Sequence, residues 1–315
     1  MSYETSLEQR LQIDFCGLRF NSPLVLLSGC VGFGEEYTRV AGFTHADIGA
    51  VCLKGTTLNP RLGNRPHRVA ETPGGMLNAI GLQNPGARAV VDKILPALDF
   101  SETRFIANVS GSTVDEYAEV TAIFDDSPID AIEINISCPN VKEGGVAFGN
   151  DPDMSARVVE ACRRVTQKPI ITKLSPNQTD IVESARRCID AGSNALAVIN
   201  TLMGMAIDIE RRQPVLGNVQ GGLSGPAIKP LALYKVFQVA GVARQHGVPI
   251  IGQGGICSAE DAVEFLLAGA TAIGIGTGLF YDPLLCARIN AGISDYLSRH
   301  SFESVSSLTG ALLTG

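Results

Sequence analysis

Two lysines interrupt apolar segments of the chain: Lys54 lies in VCLKGT and Lys173 in IITKLS. A lysine is rarely buried without a partner, because burial removes the hydration of its charge. One interpretation is a structural ion pair with a carboxylate such as Glu133. The other is a pair of cations that bind anionic groups of a ligand. The position of both lysines near the ends of predicted strands favours the second interpretation.

Four asparagines also lie near the ends of apolar segments. They are Asn78 in LNAIGLQN, Asn108 in IANVSG, Asn135 in INISCPN and Asn200 in VINT. A carboxamide carries both donors and an acceptor, which suits a ring with alternating N–H and C=O groups. Each asparagine alone could cap a strand end. Burying all four without partners would be costly, so we expect them to meet a polar ligand.

Cys138 follows a predicted strand directly, in ISCPNVKEGGVAFG. Pro139 and the Gly144–Gly145 pair predict a mobile loop over the site. A free thiol has a pKa of about 8.5 and can accept a proton once cations or desolvation tune it. We interpret the other cysteines as small packing residues; they are Cys16, Cys30, Cys52, Cys162, Cys188, Cys257 and Cys286.

Eight short apolar segments would position these side chains. They cover residues 23–29, 50–56, 105–111, 131–138, 169–175, 195–201, 249–255 and 272–278. Their near-continuous hydrophobicity is typical of parallel strands covered on both faces. Amphipathic segments of helical length lie between them, at 151–167, 179–192, 230–247 and 258–270. The pattern predicts an α/β fold, a (β/α)8 TIM barrel that forms a single domain over residues 1–315.

Four segments fall outside this repeat. QIDFCGLRF predicts an N-terminal hairpin at the bottom of the barrel. Long insertions at 57–84, 139–150 and 202–229 follow strands 2, 4 and 6, on the face where barrel enzymes have their active sites. A doubly wound open sheet is the alternative fold. It is disfavoured because GCVGFG, after the first strand, does not match G-x-G-x-x-G.

Glycines end the last two predicted strands: Gly254 and Gly255 after strand 7, and Gly276-Thr277-Gly278 after strand 8. In barrels these two loops frequently bind a phosphate through backbone N–H groups, since glycine lets the main chain come close. Tight turns alone would also explain the glycines. Their joint occurrence after strands 7 and 8 favours a phosphate-bearing ligand.

The composition limits the classes of partner. The chain has 315 residues, 45% of them hydrophobic, and a net charge of −7. The hydrophobic content excludes disorder, and the negative charge argues against binding nucleic acid or an anionic membrane. No segment predicts a membrane span or a signal peptide, so we expect a cytoplasmic protein. The eight cysteines form no C-x-x-C and the four histidines lie far apart, which argues against a metal site.

Longer motifs show a family resemblance. From about residue 12 to the C-terminus the chain resembles the dihydroorotate dehydrogenases of class 1, type B, and in particular their NAD-dependent catalytic subunit. The segments that carry the resemblance are KGTTLNPRLGNRPHRVAETPGGMLNAIGLQNPG, INISCPNVKEGGVAFG, INTLMGMAIDIERRQPVLGNVQGGLSGPAIKP and IIGQGGI.

The resemblance implies a flavin enzyme that oxidises (S)-dihydroorotate to orotate in pyrimidine biosynthesis, with Cys138 as the base that removes the C5 proton. It implies one FMN per chain, bound by Ser28, Lys54, Gly55, Asn108, Asn135, Lys173, Ile199, Gly225, Gly254, Gly255, Gly276 and Thr277. It implies that the substrate contacts Lys54, Asn78, Ala79, Ile80, Gly81, Leu82, Asn135, Asn140, Asn200 and Thr201.

Type B enzymes pass electrons to NAD through a second subunit that carries FAD and a 2Fe-2S cluster. This chain lacks the cysteine spacing and the dinucleotide fingerprint for those groups. The resemblance therefore implies an electron-transfer partner, in a heterotetramer of two catalytic and two electron-transfer chains.

Three alternatives stay open. The first is the fumarate-dependent type A enzyme of the same class, and the second is a relative of dihydropyrimidine dehydrogenase that acts on uracil or thymine. Because those pyrimidines have no carboxylate, Lys54 and the NAIGLQN segment favour an orotate-type ligand. The third is a flavin-binding scaffold without activity, which the presence of Cys138 and both lysines disfavours.

Overall fold

The structure is a computed structural model that describes residues 7–136 and 148–314. Eight parallel strands, β1–β8, hydrogen-bond in chain order, and β8 pairs with β1 to close a barrel. They are β1 (Leu24–Leu26), β2 (Ala50–Cys52), β3 (Arg104–Val109), β4 (Ala131–Asn135), β5 (Ile170–Leu174), β6 (Ala195–Val198), β7 (Ile250–Gln253) and β8 (Ala272–Ile275). The predicted (β/α)8 barrel is confirmed.

The strands are shorter than the apolar segments that predicted them. The first segment covers residues 23–29, for example, but β1 ends at Leu26. In the first two segments the polar and glycine residues at the end leave the barrel ladder, as Ser28 and Gly55 do. A polar group inside the apolar barrel needs a partner, whereas one at the carboxyl end of a strand can meet a loop or a ligand.

Helices surround the barrel, and capping residues begin several of them. The side chains of Asp151, Asp180 and Ser258 accept hydrogen bonds from backbone N–H groups of the first helical turn. The α-helices are Leu7–Leu11, Ala87–Ala89, Val114–Asp125, Pro152–Arg163, Ile181–Asp190, Lys229–Gln245, Ala259–Ala268, Gly278–Tyr281, Leu285–Arg299 and Val305–Leu308. Within the described ranges, no helix is long and apolar enough to cross a membrane.

The first two β/α units depart from the regular repeat. Only two 3₁₀ turns, Glu36–Arg39 and His45–Asp47, lie between β1 and β2. The helix after β2 is broken: Ala87–Ala89 continues as a π-helical turn at Val90–Ile94 and a 3₁₀ turn at Leu95–Ala97. Pro96 lacks the N–H that an α-helix needs at this point, which explains the break at its C-terminal end.

The predicted N-terminal hairpin is present. Strands Ile13–Phe15 and Leu18–Phe20 pair antiparallel, and the rings of Phe15 and Phe20 stack at 5.2 Å between centroids. Cys16 Sγ donates a hydrogen bond to the carbonyl oxygen of Asn194, which directly precedes β6. The hairpin therefore covers the amino-terminal ends of the barrel strands, opposite the active face.

The insertions after β2 and β6 combine into one antiparallel sheet. The order of its strands is Leu202–Gly204, Gly221–Ser224, Gly75–Asn78 and Val69–Thr72. A smaller pair, Ile207–Asp208 with Gln213–Pro214, lies within the second insertion. Of the predicted insertion at 139–150, most lies outside the described residues; Phe148–Asn150 forms a 3₁₀ turn.

Candidate active site

A cavity of about 340 Å³ opens at the carboxyl ends of the barrel strands. All the predicted site residues except Cys138 and Asn140 line it, and those two lie outside the described residues. The lining residues that the sequence predicted are Ser28, Lys54, Gly55, Asn78, Ala79, Ile80, Gly81, Leu82, Asn108, Asn135, Lys173, Ile199, Asn200, Thr201, Gly225, Gly254, Gly255, Gly276 and Thr277.

Three glycine loops form one wall of the cavity. Gly255, after β7, has φ +81°, and a Cβ placed on it would lie 2.7 Å from the carbonyl oxygen of Gly225. Gly225 has φ +96°, and its own Cβ would lie 2.7 Å from Cα of Gly75. Only glycine combines these conformations with such close contacts between backbones. Beside them, Thr277 Oγ1 donates a hydrogen bond to Ser224 Oγ at 2.8 Å.

The two predicted lysines have different surroundings. Lys173 lies 3.7 Å from Glu133 Oε1 and is buried, as the ion-pair interpretation requires. Lys54 also lines the cavity, but no carboxylate in the described ranges pairs with it. Burial lowers the pKa of Lys54, and the neighbouring Cys30 opposes this shift. Lys54 is therefore the cation whose charge an anionic ligand would compensate.

Asparagines form a polar cluster on a second wall. Asn200 Nδ2 donates to Asn135 Oδ1 at 3.1 Å, and Asn200 Oδ1 accepts from the backbone N–H of Thr201. Across the cavity, Asn78 Nδ2 donates to the carbonyl oxygen of Gly222 at 3.4 Å. These contacts fix which face of each carboxamide remains available to a ligand.

Two buried acceptors on the cavity wall have no hydrogen-bond partner within the described part of the chain. They are Asn108 Oδ1 and Gln253 Oε1. In each case the amide nitrogen is engaged: Asn108 Nδ2 donates to Glu133 Oε1, and Gln253 Nε2 donates to the carbonyl oxygen of Ile199. A buried polar atom without a partner is costly, so both oxygens indicate a ligand that presents N–H groups.

Some lining residues were not predicted from the sequence. Gln253 interrupts the apolar segment PIIGQGG, and this is the same signal that singled out the two lysines. Asn177 accepts from the backbone N–H of Met203 and donates to the carbonyl oxygen of Thr201, so it holds the second insertion against the barrel. No local pattern around Asn177 marks this contact, because its partners belong to another loop.

The described cysteines are all unpaired. Burial raises the pKa of Cys162 and Cys188 to about 12, which agrees with their interpretation as packing residues. Cys30 differs because it lines the cavity. Burial raises its pKa to about 11, against the opposing effect of Lys173 and Lys54, so Cys30 remains a neutral thiol.

The carboxyl face of this (β/α)8 barrel combines glycine loops after β7 and β8 with cations and carboxamides. This combination is typical of an enzyme that binds a phosphate-bearing cofactor. The family model for dihydroorotate dehydrogenase matches residues 10–297 of this chain. The chain therefore belongs to the dihydroorotate dehydrogenase family. This makes it an oxidoreductase and implies a flavin as its cofactor.

Individual relatives are similar over nearly their whole length. A protein of Trichlorobacter lovleyi named dihydroorotate dehydrogenase B (NAD(+)), catalytic subunit, is 52% identical over 307 residues, which cover 97% of this chain and 99% of that protein. Proteins with the same name from Geotalea daltonii and Citrifermentans bemidjiense are 50% and 51% identical. Each of these two alignments covers 96% of this chain and 98% of the relative.

The cavity fits a flavin in its chemistry. The oxygens of Asn108 and Gln253, which have no hydrogen-bond partner among the described residues, suit the N–H groups of a flavin ring. Gly225, Gly254, Gly255 and Gly276 line the cavity, and glycine lets the main chain come close to a phosphate. The cations Lys54 and Lys173 suit a ring that becomes negatively charged when it is reduced.

We predict that Gly255→Ala weakens flavin binding about tenfold, because a Cβ at this position meets the Gly225 backbone and forces the two loops apart. The affinity of the purified apoprotein for FMN, measured by quenching of flavin fluorescence, tests this. The matched control is Gly241→Ala, since a Cβ at this exposed helical position meets no atom within 4 Å. Equal affinities of the two variants would contradict the prediction.

Proposed function

We propose that this chain oxidises (S)-dihydroorotate to orotate in de novo pyrimidine biosynthesis, as a single FMN-binding barrel domain over residues 1–315. The observation that carries the proposal is the convergence of Lys54, Lys173 and the asparagine cluster on one cavity in a chain of the dihydroorotate dehydrogenase family. The names of its relatives support NAD as the final electron acceptor.

We assign FMN to the barrel side of the cavity. Backbone N–H groups of the loops after β7 and β8 would hold its phosphate, and Lys173 would offset negative charge on the reduced ring. Bound there, FMN would supply the acceptor for the hydride that leaves C6 of dihydroorotate. The proposed FMN residues are Ser28, Lys54, Gly55, Asn108, Asn135, Lys173, Ile199, Gly225, Gly254, Gly255, Gly276 and Thr277.

We assign the substrate to the side of the cavity formed by the insertions. The Lys54 ammonium would pair with the carboxylate of dihydroorotate, since no carboxylate of the described residues pairs with it. The carboxamides would match the alternating N–H and C=O groups of the substrate ring. The proposed substrate residues are Lys54, Asn78, Ala79, Ile80, Gly81, Leu82, Asn135, Asn140, Asn200 and Thr201.

We propose Cys138 as the base that removes the proton from C5. It follows Asn135, the last residue of β4, by three positions in the sequence, and Asn135 lines the cavity. Lys54 supplies positive charge at that cavity with no carboxylate of the described residues paired to it, and positive charge favours the thiolate form that a base requires. Proton and hydride thus leave from adjacent carbons, so that C5 and C6 become doubly bonded.

We propose that the electrons leave through a second protein. The names of the relatives include the words "catalytic subunit", which supports a separate partner. We expect that partner to carry FAD and a 2Fe-2S cluster and to form a heterotetramer of two catalytic and two electron-transfer chains. This chain has no C-x-x-C motif and no dinucleotide fingerprint that would hold those groups itself.

The base assignment predicts that Cys138→Ala keeps its bound flavin but loses about 10²- to 10⁴-fold in the rate of flavin reduction by dihydroorotate, because general-base catalysis contributes that much. Anaerobic stopped-flow measurement of flavin bleaching gives this rate. Cys16→Ser is the matched control, since Cys16 lies in the hairpin at the opposite end of the barrel. A wild-type rate in Cys138→Ala would refute the assignment of the base.

The assignment of Lys54 predicts a pH dependence of product binding. Because burial lowers the pKa of Lys54, its affinity for the orotate carboxylate falls as the pH rises through that lowered value, below the pH at which an exposed lysine loses its charge. Orotate dissociation constants measured between about pH 7 and about pH 10 test this. Lys54→Arg keeps its charge over this range, so the fall should disappear. A fall of equal size in Lys54→Arg would exclude Lys54 as its cause.

The electron acceptor separates the alternatives. We expect the purified chain with its flavin to reduce dyes with dihydroorotate as donor, and to reduce NAD only after the partner subunit is added. Reduction of fumarate by the chain alone would instead indicate the type A enzyme. Oxidation of dihydrouracil but not of dihydroorotate would indicate a dihydropyrimidine dehydrogenase, and a flavin that dihydroorotate never bleaches would indicate an inactive scaffold.

A further inference from the structure

A buried carboxylate lies directly behind the cavity wall. Glu133 points from the middle of β4 into the barrel interior and is 1% exposed. It does not itself line the cavity, but two residues that contact it, Asn108 and Lys173, do. An isolated buried carboxylate is expensive, so its neighbours must compensate its charge.

Side chains from three other barrel strands converge on a single oxygen, Glu133 Oε1. Asn108 Nδ2, from β3, donates to it at 2.5 Å, and Cys52 Sγ, from β2, donates at 3.3 Å. Lys173 Nζ, from β5, lies 3.7 Å away. Burial and the charge of Glu133 hold the pKa of the Cys52 thiol well above its ordinary value, so Cys52 keeps the proton that it donates.

The contact with Glu133 determines what Asn108 can offer to a ligand. A carboxylate accepts hydrogen bonds and cannot donate them, so the amide nitrogen of Asn108 must face Glu133. The amide oxygen then faces the other way, beside Gly55 at the cavity wall, where it is buried and meets no hydrogen-bond donor of residues 7–136 or 148–314. The wall therefore presents an acceptor at this point, and the group that meets it must be an N–H donor.

The same oxygen also limits the charge that Lys173 presents to the cavity. The ammonium at the wall and the carboxylate behind it form a pair with no net charge. A ring above the wall experiences the ammonium partly offset by the more distant carboxylate. Removing the carboxylate would take this offset away and would favour a negatively charged ring.

We propose that Glu133 is a positioning residue that orients the Asn108 carboxamide and offsets the charge of Lys173, and that it thereby keeps the reduction potential of the bound flavin low. The proposal rests on the flavin site put forward above. A low potential favours the transfer of electrons onward to the next acceptor, so Glu133 would act on the second half of the catalytic cycle without touching the substrate.

The decisive variant is Glu133→Gln, which retains the size of the side chain and removes its charge. In this variant we expect the ratio of the affinity for reduced flavin to the affinity for oxidised flavin to be about tenfold higher than in the wild type. This ratio corresponds to a rise of about 30 mV in the potential of a two-electron couple. Redox titration against a reference dye measures the shift without any turnover.

Two controls separate this effect from general damage. Asp130→Asn also removes a carboxylate from an ion pair, in this case with Arg104. Asp130 directly precedes β4, at the end of the strand away from the cavity, so the flavin potential of this variant should stay at the wild-type value. Glu133→Asp retains the charge, so its flavin potential should change by only a small fraction of the shift seen in Glu133→Gln. A purely structural role would lower the stability and flavin content of Glu133→Gln but would not move the potential of the flavin that remains bound.

If Glu133→Gln does not fold or hold flavin, the electrically neutral pair Glu133→Gln/Lys173→Met tests the same idea. We expect this double variant to fold again, because it removes both charges of the pair, and thermal unfolding of the apoprotein measures this rescue without flavin. Failure of that rescue, or an unchanged potential in a flavin-loaded Glu133→Gln, overturns the role of Glu133 alone. A wild-type chain that binds no flavin overturns the proposed function and this inference together.

Discussion

The whole site depends on the closure of eight parallel strands into one barrel. Closure directs all eight carboxyl ends to the same face, and it leaves an interior in which a polar group is acceptable only with a partner. Polar side chains from different strands therefore meet either at the mouth, as Asn135 and Asn200 do, or in a compensated cluster just below it, around Glu133. The chemistry of the cavity follows from this constraint on where charged and polar side chains can be placed.

The two lysines of the cavity, Lys54 and Lys173, differ in whether a carboxylate of the chain balances their charge. Both interrupt apolar segments, and both line the cavity. Lys173 has an internal counter-charge, whereas Lys54 has none among the described carboxylates. A cation that already has a counter-charge can adjust the reduction potential of a bound flavin ring. A cation without one is better suited to bind a substrate anion. The difference depends on one glutamate in a neighbouring strand.

Much of this arrangement could be predicted from the sequence, because the relevant signals are local. A lysine or asparagine at the end of an apolar segment marks a strand end at the mouth, and paired glycines after the seventh and eighth segments mark the close approach of loops. Gln253, which interrupts an apolar segment in the same way, carries the same local signal. The ion pair of Lys173 with Glu133 is one of the two interpretations that the sequence left open, and the structure contains it. The contacts of Asn177 and Cys52, and that of Glu133 with Asn108, could not be predicted, since each depends on the register of strands or loops that are distant in sequence.

The outer sheet has a consequence for how the site forms during folding. Its central pairing joins Asn78 with Gly222, which are 144 residues apart, and these two strands come from opposite halves of the barrel. Closing so long a loop costs entropy, which favours the formation of this contact late in folding. A partly folded barrel would therefore lack part of the cavity that binds the cofactor. Flavin uptake would report completed folding of the chain, and a truncated or stalled chain would stay colourless.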